Sequence, residues 1–110
     1  MDSEDLEDAF RGGRRNDWDV CVLRHVGTLE WLAEEVEAFN KLPVITGNAT
    51  PADVAGKRVL GVLPLHLAAL AASVTEVVID PPPRGAELTM QEVAARGPFF
   101  RTFQVREVRP

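Results

Sequence analysis

Arg24 and His25 follow a short apolar run, Val20 to Leu23, and stand just before Gly27 and Thr28. A guanidinium holds a phosphate by charge and by its fork of N–H donors, and an imidazole moves protons near neutral pH. Their setting is a strand that ends in polar residues, a glycine turn and a helix starting at Thr28, which is how α/β folds build ligand sites. A second junction of the same kind is Gly61-Val62-Leu63-Pro64-Leu65-His66. In a parallel sheet both junctions lie at the carboxyl edge. With neighbouring strands, and helices on opposite faces, the crevice between them is the usual ligand position. Free N–H groups at the starts of both helices favour an anion there, phosphate above all. The chain's two histidines, His25 and His66, fall at these junctions. Plainer readings stay open: a solvated surface residue for His66, a structural hydrogen-bonding group for His25, a surface ion-pairing residue for Arg24.

Other chemistries find little support. There is no G-x-G-x-x-G and no G-x-x-x-x-G-K-[ST]. No pair of His or Cys residues has zinc-ligand spacing, so no metal site and no cofactor are expected. The acids form no hydrolase dyad, with Asp80 and Glu87 the pair left open. Ser73 lacks a nucleophile elbow.

The elements that position these residues fit a single domain of 110 residues. Its net charge of −5 is uneven, because Asp2, Glu4, Asp5, Glu7 and Asp8 lie in the first eight residues, and the rest carries 12 acids and 12 bases. An anionic ligand is therefore admissible, while no basic stripe suggests duplex nucleic acid. The one cysteine, Cys21, reads as a buried thiol in the first strand. The acidic start lacks the apolar region of a signal peptide, and no run is long enough to span a membrane, so a cytoplasmic protein is expected.

Residues 1–16 read as a flexible, solvated arm, and 17–110 as the α/β domain. Leu29, Leu32, Ala33, Val36 and Phe39 give a helical stripe over about Thr28 to Phe39. Trp31 falls off that stripe, placed to pack on the arm, a partner chain or neighbouring loops. Leu42 to Thr46 is a second strand, Pro43 marking its start or an edge position. Gly47 to Pro51 is a turn, and Ala52 to Gly56 a single helical turn. Arg58 to Leu63 is a third strand of the buried parallel type. Leu65 to Val74 reads as an alanine- and leucine-rich helix with Pro64 at its first position, buried on more than one side. Glu76 to Asp80 is a fourth strand, ended by Pro81-Pro82-Pro83. Thr89 to Glu92 has the capping-box pattern of a helix start, and Arg96-Gly97-Pro98 a stop. A last strand spans about Phe99 to Val108, with Phe103 and Val105 on one face. The order predicts a compact Rossmann-like α/β layer structure, its sheet flanked by helices, with an appended C-terminal strand.

Three segments in register carry a resemblance: V-L-R-H-x-G-x-x-E-W at Val22 to Trp31, V-x-G-x-L-P-x-x-L-A-A at Val59 to Ala69, and P-x-R-G-x-E-L-T at Pro82 to Thr89. Together they resemble the small CRISPR-associated stand-alone ring nucleases of type III systems, the Csx type with the R-H-x-G-x-x-E-W motif. The resemblance covers roughly residues 19–95; the arm falls outside it and the Gly47–Pro51 linker departs from it. It implies a CARF-related fold, a homodimer, and binding and cleavage of a cyclic oligoadenylate, the tetra-adenylate foremost, to switch off antiviral signalling. For that chemistry His25 is expected to be the acid/base or orienting group and Arg24 the stabiliser of phosphate charge. Gly27, Thr28, Leu63, Pro64, Leu65 and His66 would form the ligand site, with Arg84 and Glu87 closing over it from the tri-proline loop or, on the plainer reading, forming only a surface salt bridge.

The chemistry needs no metal, because a ribose 2′-OH can attack its own phosphate once held in line. Three rivals stand beside this reading. One is a non-catalytic binder of the same ligand. Another is a structural or regulatory α/β module whose dimer face includes Trp31. The third is a glycosidase-like hydrolase with paired carboxylates beside His25.

Overall fold

The computed structural model describes residues 14–109. The expected arm lies outside these residues apart from Arg14, Arg15 and Asn16. Those three belong to the domain. Arg14 bridges to Val36, and its guanidinium lies 4.5 Å from the centroid of the Phe100 ring. Asn16 donates to the carbonyl of Ala38.

The fold is α/β, a five-stranded mixed sheet flanked by helices. Its strands are β1 (Val20–Val22), β2 (Val44–Ile45), β3 (Arg58–Gly61), β4 (Ser73–Val78) and β5 (Phe99–Phe103). The helices are α1 (Val26–Glu35), α2 (Pro51–Val54), α3 (Leu65–Ala68) and α4 (Met90–Ala95), with a 3-10 turn at Phe39–Lys41. The sheet order is β2-β1-β3-β4-β5, parallel through the first four strands and antiparallel at the β4–β5 pair. The chain thus leaves β1 towards β2 and returns to add β3 on β1's other side.

Strand alternation divides the core. Cys21, Leu23 and Leu60 face Trp31, Leu32 and Val36 of α1 and Val93 of α4. On the other side Val20, Val22, Val59 and Val74 face Val54 of α2 and Leu67 and Ala68 of α3. The helices after β1 and β3 therefore lie on opposite faces. Burial pushes the Cys21 thiol up to about 12. It is expected to resist a maleimide or disulfide reagent at pH 8 in the native protein and to react fully on unfolding. Rapid native labelling would contradict this.

Several expected boundaries change. Alpha helix α1 begins at Val26, with His25 at its N-cap and no side-chain cap bond, and ends at Val36, where the backbone is extended. Thr28 is inside the helix, and Phe39 lies in the 3-10 turn after a left-handed Ala38. Ala33, placed on the apolar stripe, is exposed. Trp31 is only 5 % exposed, because α1 packs against α4 as well as the sheet and the Trp31 ring meets Phe100 edge to face at 6.0 Å. Beta strand β2 does lie at the sheet edge.

The largest revision is at Leu65–Val74. Only Leu65–Ala68 is helical, Pro64 is its N-cap, and Ser73 and Val74 open β4. The Gly56 N–H donates to Leu70 O and the Ala72 N–H to Lys57 O, which turns the chain back into register with β3. Helix α3 is not buried all round, since Leu65 is 75 % exposed, and Leu70 just beyond it is 45 % exposed. Beta strand β5 stops at Phe103, and its core-facing residue is Phe100, against Trp18, Trp31 and Arg14. The capping box at Thr89 and Glu92 forms as expected.

Asp19 ties the start of β1 to β3. Its carboxylate accepts from Arg58 Nε at 3.1 Å, Nη2 at 3.0 Å and the Arg58 backbone N–H at 2.9 Å. The Arg58 side chain first, and then its backbone N–H, hold the Asp19 carboxyl below its ordinary 3.8. A carboxyl lowered by folding adds stability above its unfolded value, lost as pH falls through the folded one. Asp19→Asn is therefore expected to lower Tm modestly at pH 7, as befits an exposed pair. That difference should shrink below about pH 4. A gap that stays constant down to pH 2 would show that the charge contributes nothing.

Candidate functional site

The two polar junctions meet. Beta strands β1 and β3 are paired, Val22 opposite Gly61, and just beyond their carboxyl ends a cavity of ≈ 460 Å³ opens where the strand order reverses. Arg24 and His25 form one wall, and Val62, Leu63, Pro64 and His66 another. Thr46, Gly47, Asn48 and Ala49 complete the rim. Among the described residues no carboxylate lines this cavity, whereas a guanidinium and two imidazoles do. The lining suits an anion.

The loop Thr46–Ala49 belongs to the site without any signal in its own residues. It follows β2, which is parallel to β1, so the same carboxyl edge had to carry it.

His25 has a second neighbour, from far along the chain. Its Nδ1 lies 2.9 Å from Glu87 Oε1, with the two side chains 60 % and 62 % exposed. An ionised carboxylate only accepts, so this bond places the ring proton on Nδ1 and leaves Nε2 as the basic nitrogen of the neutral ring. Glu87 is held near by the packing of its neighbour. The Leu88 carbonyl seats on Gly27 so closely that a Cβ there would lie 2.0 Å from the oxygen. The Arg96 guanidinium also donates to Asp80 O at 2.8 Å, at the loop's entry. A second cavity, ≈ 340 Å³, lies under this loop and shares His25, Leu23 and Val62 with the first.

The remaining expected residues divide. Leu63, Pro64 and His66 line the first cavity. Thr28 lines the second and is buried. Gly27 lines neither; its role is the close approach of Leu88, for which a side chain leaves no room. Leu65 points away from both cavities, because the single turn of α3 turns it to solvent. Arg84 is exposed at the tip of the loop and also lines neither, and Glu87, expected to act with it, pairs with His25 instead. The expected contribution of helix starts also narrows, since α3 has four residues and a weak dipole. Among the described residues, no three His, Cys, Asp or Glu side chains gather as around a metal ion. Among them, too, no helix is long and apolar enough to cross a membrane.

A protein-family model described as "Putative CRISPR-associated protein (Cas_VVA1548)" matches residues 20–106. The chain belongs to this family. The match runs from β1 through β5, so it takes in both junctions, the tri-proline loop and Glu87 of this CRISPR-associated protein. Comparison with curated proteins and with solved structures found no match.

Proposed function

We propose that this CRISPR-associated protein binds a cyclic oligoadenylate, cyclic tetra-adenylate foremost, at the β1–β3 crevice and cleaves it as a ring nuclease, ending a type III antiviral signal. The observation that carries the reading is the carboxylate-free cavity in which Arg24, His25 and His66 converge at the reversal of strand order. Family membership and the three motif segments support it. So do the parallel strands ordered β2-β1-β3-β4 with helices on both faces, the basis for reading the fold as Rossmann-like and CARF-related. A homodimer belongs to the same proposal, since a two-fold pair would present two crevices to a ring of matching symmetry.

In this mechanism Arg24 and His66 bind non-bridging phosphate oxygens and hold the scissile linkage with its 2′-OH in line. His25 Nε2 takes the 2′-OH proton as the O2′–P bond forms. Arg24 offsets the charge that builds on phosphorus. The P–O5′ bond breaks, solvent in the open cavity protonates the leaving oxygen, and a 2′,3′-cyclic phosphate remains. Glu87 keeps the His25 ring in the tautomer that can accept.

The test is incubation with cyclic tri-, tetra- and hexa-adenylate, with and without EDTA, and chromatography of the products. Linear products ending in a cyclic phosphate, formed equally with EDTA, are expected. Intact ligand recovered after stoichiometric binding would instead make the protein a sponge, and absence of binding to any ring would end the reading.

A further inference from the structure

The second cavity differs in chemistry from the first. Ile79, Pro81, Pro82 and Leu88 give it apolar walls, and its side-chain polar groups are the Thr28 hydroxyl, the His25 imidazole and the carboxylates of Glu76 and Glu87. Among the described residues no lysine or arginine lines it, which does not suit a phosphate. Its ≈ 340 Å³ lies at the small end of ligand pockets, which combine mostly apolar walls with a few placed polar groups. A flat, neutral ring edged with N–H donors meets these conditions. The aliphatic and prolyl walls cover its faces, and carboxylate oxygens accept from an exocyclic amine. Glu87 binds His25 through Oε1, and its remaining lone pairs are available to a ligand. His25, Leu23 and Val62 stand between the two cavities. A nucleotide with its phosphate on the Arg24 side therefore has its base within reach of the second cavity.

We infer that this pocket beneath the tri-proline loop is a nucleobase subsite that takes an amino-purine, and that it selects the nucleotide whose phosphate lies at His25. The inference rests on the phosphate reading of the first cavity. It makes Ile79 and Leu88 specificity residues, Thr28 a donor to the base edge, and Glu87 a residue with two tasks.

The test uses small probes and no turnover. Adenosine 5′-monophosphate and ribose 5-phosphate share the phosphate and sugar, and only the first carries the base. Titration of the whole chain followed by amide NMR is expected to show the monophosphate binding at least about tenfold more tightly. Its additional shifts should centre on Ile79, Ala86 and Leu88. Ile79→Ala should reduce that preference by about tenfold, the range for lost apolar contact in a specificity pocket, and leave ribose 5-phosphate unaffected. Equal affinities, undetectable binding of the monophosphate at millimolar concentration, or shifts confined to the Arg24–His66 cavity would overturn the subsite. A base preference without cleavage of cyclic tetra-adenylate would sink the ring nuclease reading alone. Cleavage without a base preference would sink the subsite alone.

Discussion

His25→Ala is expected to slow cleavage of cyclic tetra-adenylate by about 10²–10⁴-fold, the usual contribution of a positioned acid–base group, with little change in affinity. The reason lies in the division of work at the β1 end. Arg24 carries the charge that meets the phosphates and His66 offers a further ring N–H donor, so a ligand still docks when the His25 imidazole is gone. What disappears is the Nε2 acceptor for the 2′-OH proton. Arg24→Ala has the opposite profile. It should weaken binding, flatten its salt dependence and lower the rate at saturation by less. Glu87→Ala falls between. The His25–Glu87 contact is more than half exposed. Such a hydrogen bond is worth about 1 kcal/mol net, so a loss of about 3- to 10-fold in rate is expected rather than the loss seen when a buried partner is removed. Equal cleavage by wild type, His25→Ala and Arg24→Ala, measured from single-turnover product formation, would remove both residues from the mechanism.

The junctions were legible in the sequence because parallel strands send their carboxyl ends to one edge. Arg24-His25 and Leu63-Pro64-x-His66 needed only adjacent strands to meet, and β1 and β3 are adjacent. The same logic applied to β2 adds Thr46–Ala49, although its turn residues by themselves suggest nothing beyond a connection. The His25–Glu87 contact could not be read, since it spans 62 residues and depends on Leu88 seating on Gly27. At Leu65–Val74 local helix propensity loses to strand pairing. Alanine and leucine favour helix, but Val74 and Thr75 gain a ladder against Val59 and Leu60 and a place in the core. Trp31 falls off the stripe only for a helix with one buried face. The α4 helix, which begins 12 residues after the end of the last parallel strand, supplies a second cover.

Gly61→Ala is expected to cost about 3–6 kcal/mol, combining left-handed strain of about 1–3 kcal/mol with the overpacking of a closed site. Two independent facts make this position intolerant. Gly61 has φ +136°, which L side chains rarely adopt, and a Cβ there would lie 1.9 Å from the carbonyl oxygen of Val22. That oxygen is backbone, and it accepts the Val62 N–H at 2.9 Å, so neither partner can move without opening the β1–β3 ladder. A domain of this size has roughly 5–15 kcal/mol of total stability. Tm should therefore fall by about 15–30 °C, read by thermal unfolding followed by circular dichroism. Gly47 is the matched control: it lines the same cavity, a Cβ there meets nothing within 4 Å, and its φ is not positive. Gly47→Ala should thus shift stability by less than about 1 kcal/mol, and in the stabilising direction if anything, by restricting the unfolded chain. Similar melting of the two variants would mean that β1 and β3 do not meet as closely as the crevice requires. The site's geometry depends on that approach, since the distance between the Arg24–His25 wall and the Leu63–His66 wall is set where Val22 O touches Gly61.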